Sequence, residues 1–197
     1  RATPERPKLA PAPLEFVNHL GMPLAEGLTF VRNTLIGAGL RDRIRIGASG
    51  KLVTAFDLVW AHALGADWCN SARGFMFAVG CIQAQACHTN RCPTGVTTQD
   101  PLLQRALDVE DKATRVASFH RNTLHALSEI VGAAGCESPD ELQPHHVMVR
   151  QKNGETLPAD LCYRVLVEGS LLDGDCDVEE YREQWAKAQA KSFAPAS

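Results

Sequence analysis

No apolar run in this chain approaches the roughly 18 residues of a membrane span. Charge imbalance is also missing. Lys and Arg total 20 against 23 Asp and Glu, a net charge of −3, which argues against a nucleic-acid footprint. The first residues, RATPERPKLAPAP, carry no hydrophobic stretch and do not read as a secretory leader. They also lack an initiator Met, as expected of a processed or partial chain. The C-x₂-C pairs usual in zinc sites are absent, and no Ser/His/Asp set or paired-carboxylate motif can be argued. The cysteine count is seven, odd, in a chain of 197 residues. Secreted disulfide scaffolds are shorter and even in count, so a reducing, cytoplasmic setting is expected, with clustered thiols serving as ligands or catalytic groups.

Apolar residues make up 45% of the chain, enough for a substantial core. Residues 1–12 read as a Pro-rich extended lead-in. From residue 13 to 135 the pattern alternates between short strands and helices. Leu24, Leu28, Val31 and Leu35 share one helical face, with Pro23 suited to the first turn and Gly37 and Gly39 to the stop. Ile44 and Ile46 alternate with Arg43 and Arg45, a strand signal over 43–50. Thr54, with Asp57 three residues on, caps a helix expected to end near Gly65. A short, buried-type strand follows over 66–71 and a helix-like run over 73–84. The longest helical pattern covers 108–135, with Val109, Ala113, Val116, Thr123, Leu127 and Ile130 on one face. Residues 136–197 form a separate, mostly helical tail, with an Asn153-Gly154 turn and a charged helix over 177–193. Alternating strands and helices indicate α/β architecture with a parallel sheet. A closed (β/α)₈ barrel takes roughly 250 residues, so this chain is expected to hold the last βα units of a TIM barrel. An open doubly wound sheet is the competing architecture.

Two constellations carry chemistry. Cys81, Cys87 and Cys92 fall within one short segment, GCIQAQACHTNRCPTGVTTQD, broken by small and polar residues. Thiolates are soft ligands, and three on one excursion of backbone can wrap a single centre. Pro93 directly after Cys92 ends any helix there. An iron–sulfur cluster, a zinc ion and inert thiols all remain open from spacing alone. The count of three fits a [3Fe–4S] cluster. His88 is a fourth candidate ligand but adjoins Cys87, and Cys69 reads as core packing. The second constellation is a pair of βα turns, Ser49-Gly50-Lys51 and Ser71-Ala72-Arg73. Small residues, hydroxyls and cations after consecutive strands suit a phosphate, or else merely make tight turns with solvated cations.

The segment CIQAQACHTNRCPTGVTTQDP resembles the iron–sulfur loop of the glutamate synthase large-subunit family, in cysteine spacing, in the His-Thr-Asn insert and in the Cys-Pro-x-Gly-Val-x-Thr-Gln-Asp run. The upstream stretches PLEFVNHLGMPLAEGLTFVRNTLIGAGLRDRIRI and ASGKLVTAFDLVWAHALGADWCNSARGFMFAVGC are similar to that family's late barrel units. The nearest type is the stand-alone FMN-binding glutamate synthase-like protein. The resemblance implies an FMN-bearing barrel with the flavin phosphate on Ser49, Gly50, Lys51, Ser71, Ala72 and Arg73. It implies a [3Fe–4S] cluster on Cys81, Cys87 and Cys92, and reduction of 2-iminoglutarate, made from 2-oxoglutarate and ammonia, to glutamate. Implied partners are an electron-donor protein or subunit and a chain supplying the remaining strands; neither nucleic acid nor membrane is implied. The alternative is a non-catalytic iron–sulfur electron-transfer or scaffold subunit. Two positions depart from the family: ERPKLAPA stands where a Gly-Gly-Thr-Gly stretch is usual, and Asn18 stands where true glutamate synthases have Lys.

Overall fold

The computed structural model describes residues 20–192 and 194. The lead-in and residues 13–19, Asn18 among them, lie outside the described residues. Helix α1 spans Leu24–Gly37, with Pro23 as the N-cap residue. Strand β1 (Gly47–Ser49), helix α2 (Ala55–Ala63) and strand β2 (Trp68–Asn70) form a βαβ unit. Its two strands are parallel, with Ala48 opposite Cys69. Helix α3 (Ala72–Ala78) leads into the cysteine loop. Helix α4 (Pro101–Gln104) leaves that loop, and α5 runs over Val109–Ala133. Two parallel strands are what the described residues contribute to a sheet of this kind; a closed barrel is not among them.

Local chemistry explains most of these boundaries. Thr54 accepts from the Asp57 N–H, and Asp57 Oδ2 accepts from the Thr54 N–H at 2.8 Å, a reciprocal capping box. Helices α1, α2, α3 and α5 each end with paired bonds from the two residues after the cap back into the last turn. At α3 these are Gly80 N–H to Phe77 C=O and Cys81 N–H to Met76 C=O, both 3.0 Å. Gly80 sits at φ 109°, where a side chain is disfavoured, so the chain turns out of the helix there and Cys81 follows directly.

The strand expected from residue 43 begins only at Gly47, because Arg41–Arg43 close a 3₁₀ turn instead. Asp67 organises that entry. Its carboxylate accepts from Arg41 Nη2 and Arg45 Nη1, each at 3.0 Å, and from the Ile46 N–H at 2.6 Å. Asp67 N–H returns a bond to the Ile46 C=O at 2.8 Å, which fixes the start of both strands. Burial alone would raise the Asp67 pKa, but the bonds from Arg41, Ile46 and Arg45 outweigh it and hold the carboxyl below its ordinary value. Asp67 therefore stabilises the fold above about pH 4, the ordinary carboxylate value, and that contribution fades as pH falls through the lower folded-state value. Melting curves of the wild type and Asp67→Asn should differ at neutral pH and converge in acid. A constant gap down to low pH would show that the charge plays no part.

The core gathers Leu28, Ile46, Ala48, Leu52, Val59 and Leu64 with Leu127 and Val131 of α5. Leu142, Val147 and Ala159 from beyond residue 136 enter the same cluster. The buried stripe of α5 differs from the expected one. Val109 is 79% exposed, while Leu127 and Val131 are buried, because α2 covers only the C-terminal part of this helix. Further back, Phe119 meets Phe75 of α3 edge-on at 5.2 Å. Strand β2 is not the buried strand expected: Trp68 is 48% exposed, lying across Gly47, whose absent Cβ leaves room for the indole. The sheet has no third strand among the described residues to cover it.

The mostly helical tail is also corrected. Strands β3 (Met148–Arg150) and β4 (Thr156–Pro158) form an antiparallel hairpin around the Asn153-Gly154 turn. Short helices α6 (Ala159–Cys162) and α7 (Ser170–Asp173) follow, and α8 spans only Glu179–Lys187. Prolines at 139, 144 and 158 and the turn glycines break the segment into short pieces. The tail returns to α1: Asn33 Nδ2 donates to the Arg164 C=O at 2.7 Å and to Tyr181 Oη at 3.0 Å, and Tyr181 stacks on Phe30. Among the described residues no helix is long and apolar enough to cross a membrane.

Candidate functional site

The three cysteines arrive at one place by different local means. Cys81 leaves α3 through the Gly80 turn. Gln83 and Gln85 then take left-handed backbone, both at φ 57°, which coils the chain tightly. Cys87 opens a 3₁₀ turn, Cys87–Thr89, closed by left-handed Asn90. Cys92 follows two residues on and is buried. All three line one small cleft, together with Met76, Ile82, Ala86, Thr94, Val96 and Thr97. His88, adjoining Cys87, is exposed and does not line it.

A polar clamp closes the base of the loop. The Thr98 hydroxyl, on a residue only 4% exposed, donates to the Asn90 C=O at 2.7 Å. Asn90 Oδ1 accepts from the Gln99 N–H at 2.7 Å, and Gln104 Nε2 donates to the Thr98 C=O at 2.8 Å. Asp100 caps α4 by accepting from the Leu102 N–H at 2.8 Å. Gly95, at φ 81°, passes so close to α4 that a Cβ there would stand 2.5 Å from the Leu103 carbonyl oxygen. These residues were visible in the sequence only as companions of the cysteines. Their pairing spans eight or nine residues of irregular chain, which no helical or strand period announces. Asn in a left-handed position beside a Thr-Thr-Gln-Asp run was the signal that could have found them.

The donor chemistry favours thiolate. Burial would push the Cys92 thiol up, but the Thr94 hydroxyl, 3.5 Å from Sγ, the backbone of Thr97 and Thr94, and the nearby Thr97 hydroxyl outweigh it and bring the pKa to about 6. The Gln83 N–H points to Cys81 Sγ at 3.4 Å. Cys69 is the opposite case. Burial pushes its thiol up to about 11, and it packs half-buried against the core, as an inert residue does. Among the described residues, no three His, Cys, Asp or Glu side chains are grouped to hold one metal ion. A polynuclear cluster takes each thiolate on a different iron, so its ligands border a shared cavity rather than converge on a point.

The two turns lie side by side at the carboxyl ends of β1 and β2, where Ser49 is in register with Asn70. Ser49, Gly50, Lys51, Ala72 and Arg73 are exposed, and Lys51 is in the left-handed region at φ 58°. Ser71 differs from the expectation of a free donor. Its hydroxyl does not cap α3 but donates to the Leu52 C=O at 2.6 Å, tying the two turns together.

Parallel βα units whose strand ends carry exposed cations, followed by a clamped thiol loop, place the chain among α/β proteins. A family model described as a conserved region in glutamate synthase matches residues 10–137, and the chain belongs to the glutamate synthase family. It is similar to the glutamate synthase large subunit-like protein YerD of Bacillus subtilis, 44% identical over 146 residues, 74% of this chain and 28% of that protein. Similarity to the archaeal glutamate synthase (NADPH) of Methanocaldococcus jannaschii is 37% over 139 residues, covering 71% of this chain and 27% of the relative. A ferredoxin-dependent glutamate synthase of Pyropia yezoensis is 34% identical over 141 residues, 71% of this chain and 9% of that one. The chain thus spans less than a third of the length of these relatives.

Proposed function

We propose that this chain is the cluster-bearing end of an FMN- and [3Fe–4S]-dependent oxidoreductase of the glutamate synthase type. The observation that carries the reading is the convergence of Cys81, Cys87 and Cys92 on one clamped cavity. When bound, the cluster supplies one-electron transfer and the flavin hydride transfer, reducing 2-iminoglutarate, from 2-oxoglutarate and ammonia, to glutamate. The residues of this chain hold and orient. Cys81, Cys87 and Cys92 donate thiolates. Thr94 and the surrounding amides offset the negative charge on sulfur. Met76 and Val96 give the cavity an apolar side. At the strand ends, the backbone of Gly50 and Ala72 and the cations Lys51 and Arg73 receive the flavin phosphate, and the Ser71–Leu52 bond keeps those turns at a fixed spacing. NADPH and ferredoxin both occur in the names of relatives, so the electrons come from a reduced nicotinamide by way of a donor protein or subunit, or from a ferredoxin-like protein directly.

The second reading is an iron–sulfur electron-transfer or scaffold subunit without its own turnover. It is favoured by the open pair of parallel strands among the described residues. One experiment separates the two: an absorption spectrum with iron and sulfide analysis on the full chain, purified without oxygen and then titrated with FMN. Broad iron–sulfur absorption with flavin binding supports the first reading. Arg73→Glu should then weaken FMN binding about tenfold or more, from the loss of a charge-assisted contact. Iron and sulfide without flavin binding supports the second, and a colourless, iron-free protein sinks both.

A further inference from the structure

The Thr97 hydroxyl is buried and lines the cysteine cavity beside the Cys92 sulfur, but it forms no well-aligned hydrogen bond among the described residues. Its position is not free to adjust, because the neighbouring Thr98 is pinned to Asn90 and Gln104. A buried donor with no acceptor costs free energy, of the order of 1–3 kcal/mol. A valine of the same shape would avoid that cost. Thr94, by contrast, has an acceptor already, at 3.5 Å from Cys92 Sγ.

We propose that Thr97 is a positioning residue whose hydroxyl donates to a sulfur of the iron–sulfur group, an inorganic sulfide or the Cys92 thiolate. This rests on the cluster reading above. A donor to sulfur stabilises the reduced, more negative cluster more than the oxidised one, so it raises the reduction potential. The same substitution therefore has opposite effects in the two states of the protein. Without the cluster, Thr97→Val removes an unsatisfied buried group and leaves stability unchanged or higher. With the cluster, it lowers the potential.

The test is an EPR-monitored redox titration of wild type, Thr97→Val and Thr97→Ser, each with iron and sulfide counted, beside thermal melts of the iron-free proteins. At a fixed ambient potential, the ratio of reduced to oxidised cluster is expected to fall about tenfold in Thr97→Val, a shift of 59 mV for one electron. Thr97→Ser restores the wild-type value. If Thr97→Val fails to hold iron while Thr97→Ser holds it, the hydroxyl is again the required group. Equal potentials in loaded wild type and Thr97→Val overturn the inference and leave the cluster reading standing. A wild type without iron overturns both. A less stable iron-free Thr97→Val shows that the hydroxyl serves the fold instead.

Discussion

Cys87→Ser, purified without oxygen, should retain less than about a tenth of the wild-type iron and lose its broad visible absorption. Removing an outer-shell partner of a metal site already costs roughly 10–100-fold in affinity, and losing a direct ligand costs more. Cys87 opens the 3₁₀ turn between the two strained glutamines and Asn90, so no other side chain is placed to take over its sulfur; His88 faces out. The loop should also become more sensitive to protease, since metal binding and local order are coupled. The helical core does not depend on the loop, and far-ultraviolet circular dichroism should be unchanged. Wild-type iron and sulfide content in Cys87→Ser would remove Cys87 from the ligand set and with it the three-thiolate assignment.

The sequence announced what is local. Thr54, Asp57 and Gly65 mark both ends of α2 because a capping box and a glycine stop are decided within a few residues. The three cysteines are legible for the same reason: their spacing is short and their neighbours distinctive. What was missed depends on distant partners. Arg45 seemed to decorate a strand, but with Arg41 it serves Asp67, more than twenty residues away, and the strand starts later in consequence. Val109 fits the period of a helical face but has nothing to pack against, since α2 reaches only the far part of α5. The terminal helix ends at Lys187 rather than near 193, where the chain turns into an extended cap at Ala188 without a glycine. The bond from Ser71 that braces the two turns was not legible either, because only the pairing of β1 and β2 makes it possible.

That pairing rests on a core that joins the family region to the residues beyond it, and Leu64→Ala probes the join. Leu64 is 0% exposed, at the end of α2, in the cluster that holds Leu28, Leu127, Leu142 and Val147. Deleting its side chain leaves a cavity that rigid neighbours on several elements cannot close. The expected cost is about 2–5 kcal/mol. In a chain of this size that lowers the melting temperature by roughly 4–20 °C. Because Leu142, Val147 and Ala159 share the cluster, the segment after residue 136 should melt with the rest in one transition, not before it. Leu64 does not line the cysteine cavity, so iron per folded molecule should match the wild type. Two separate transitions, with only the later one shifted by Leu64→Ala, would mean that the C-terminal segment folds as its own unit. Its contacts with Leu64 would then contribute little to holding the βαβ unit and its strand ends in place.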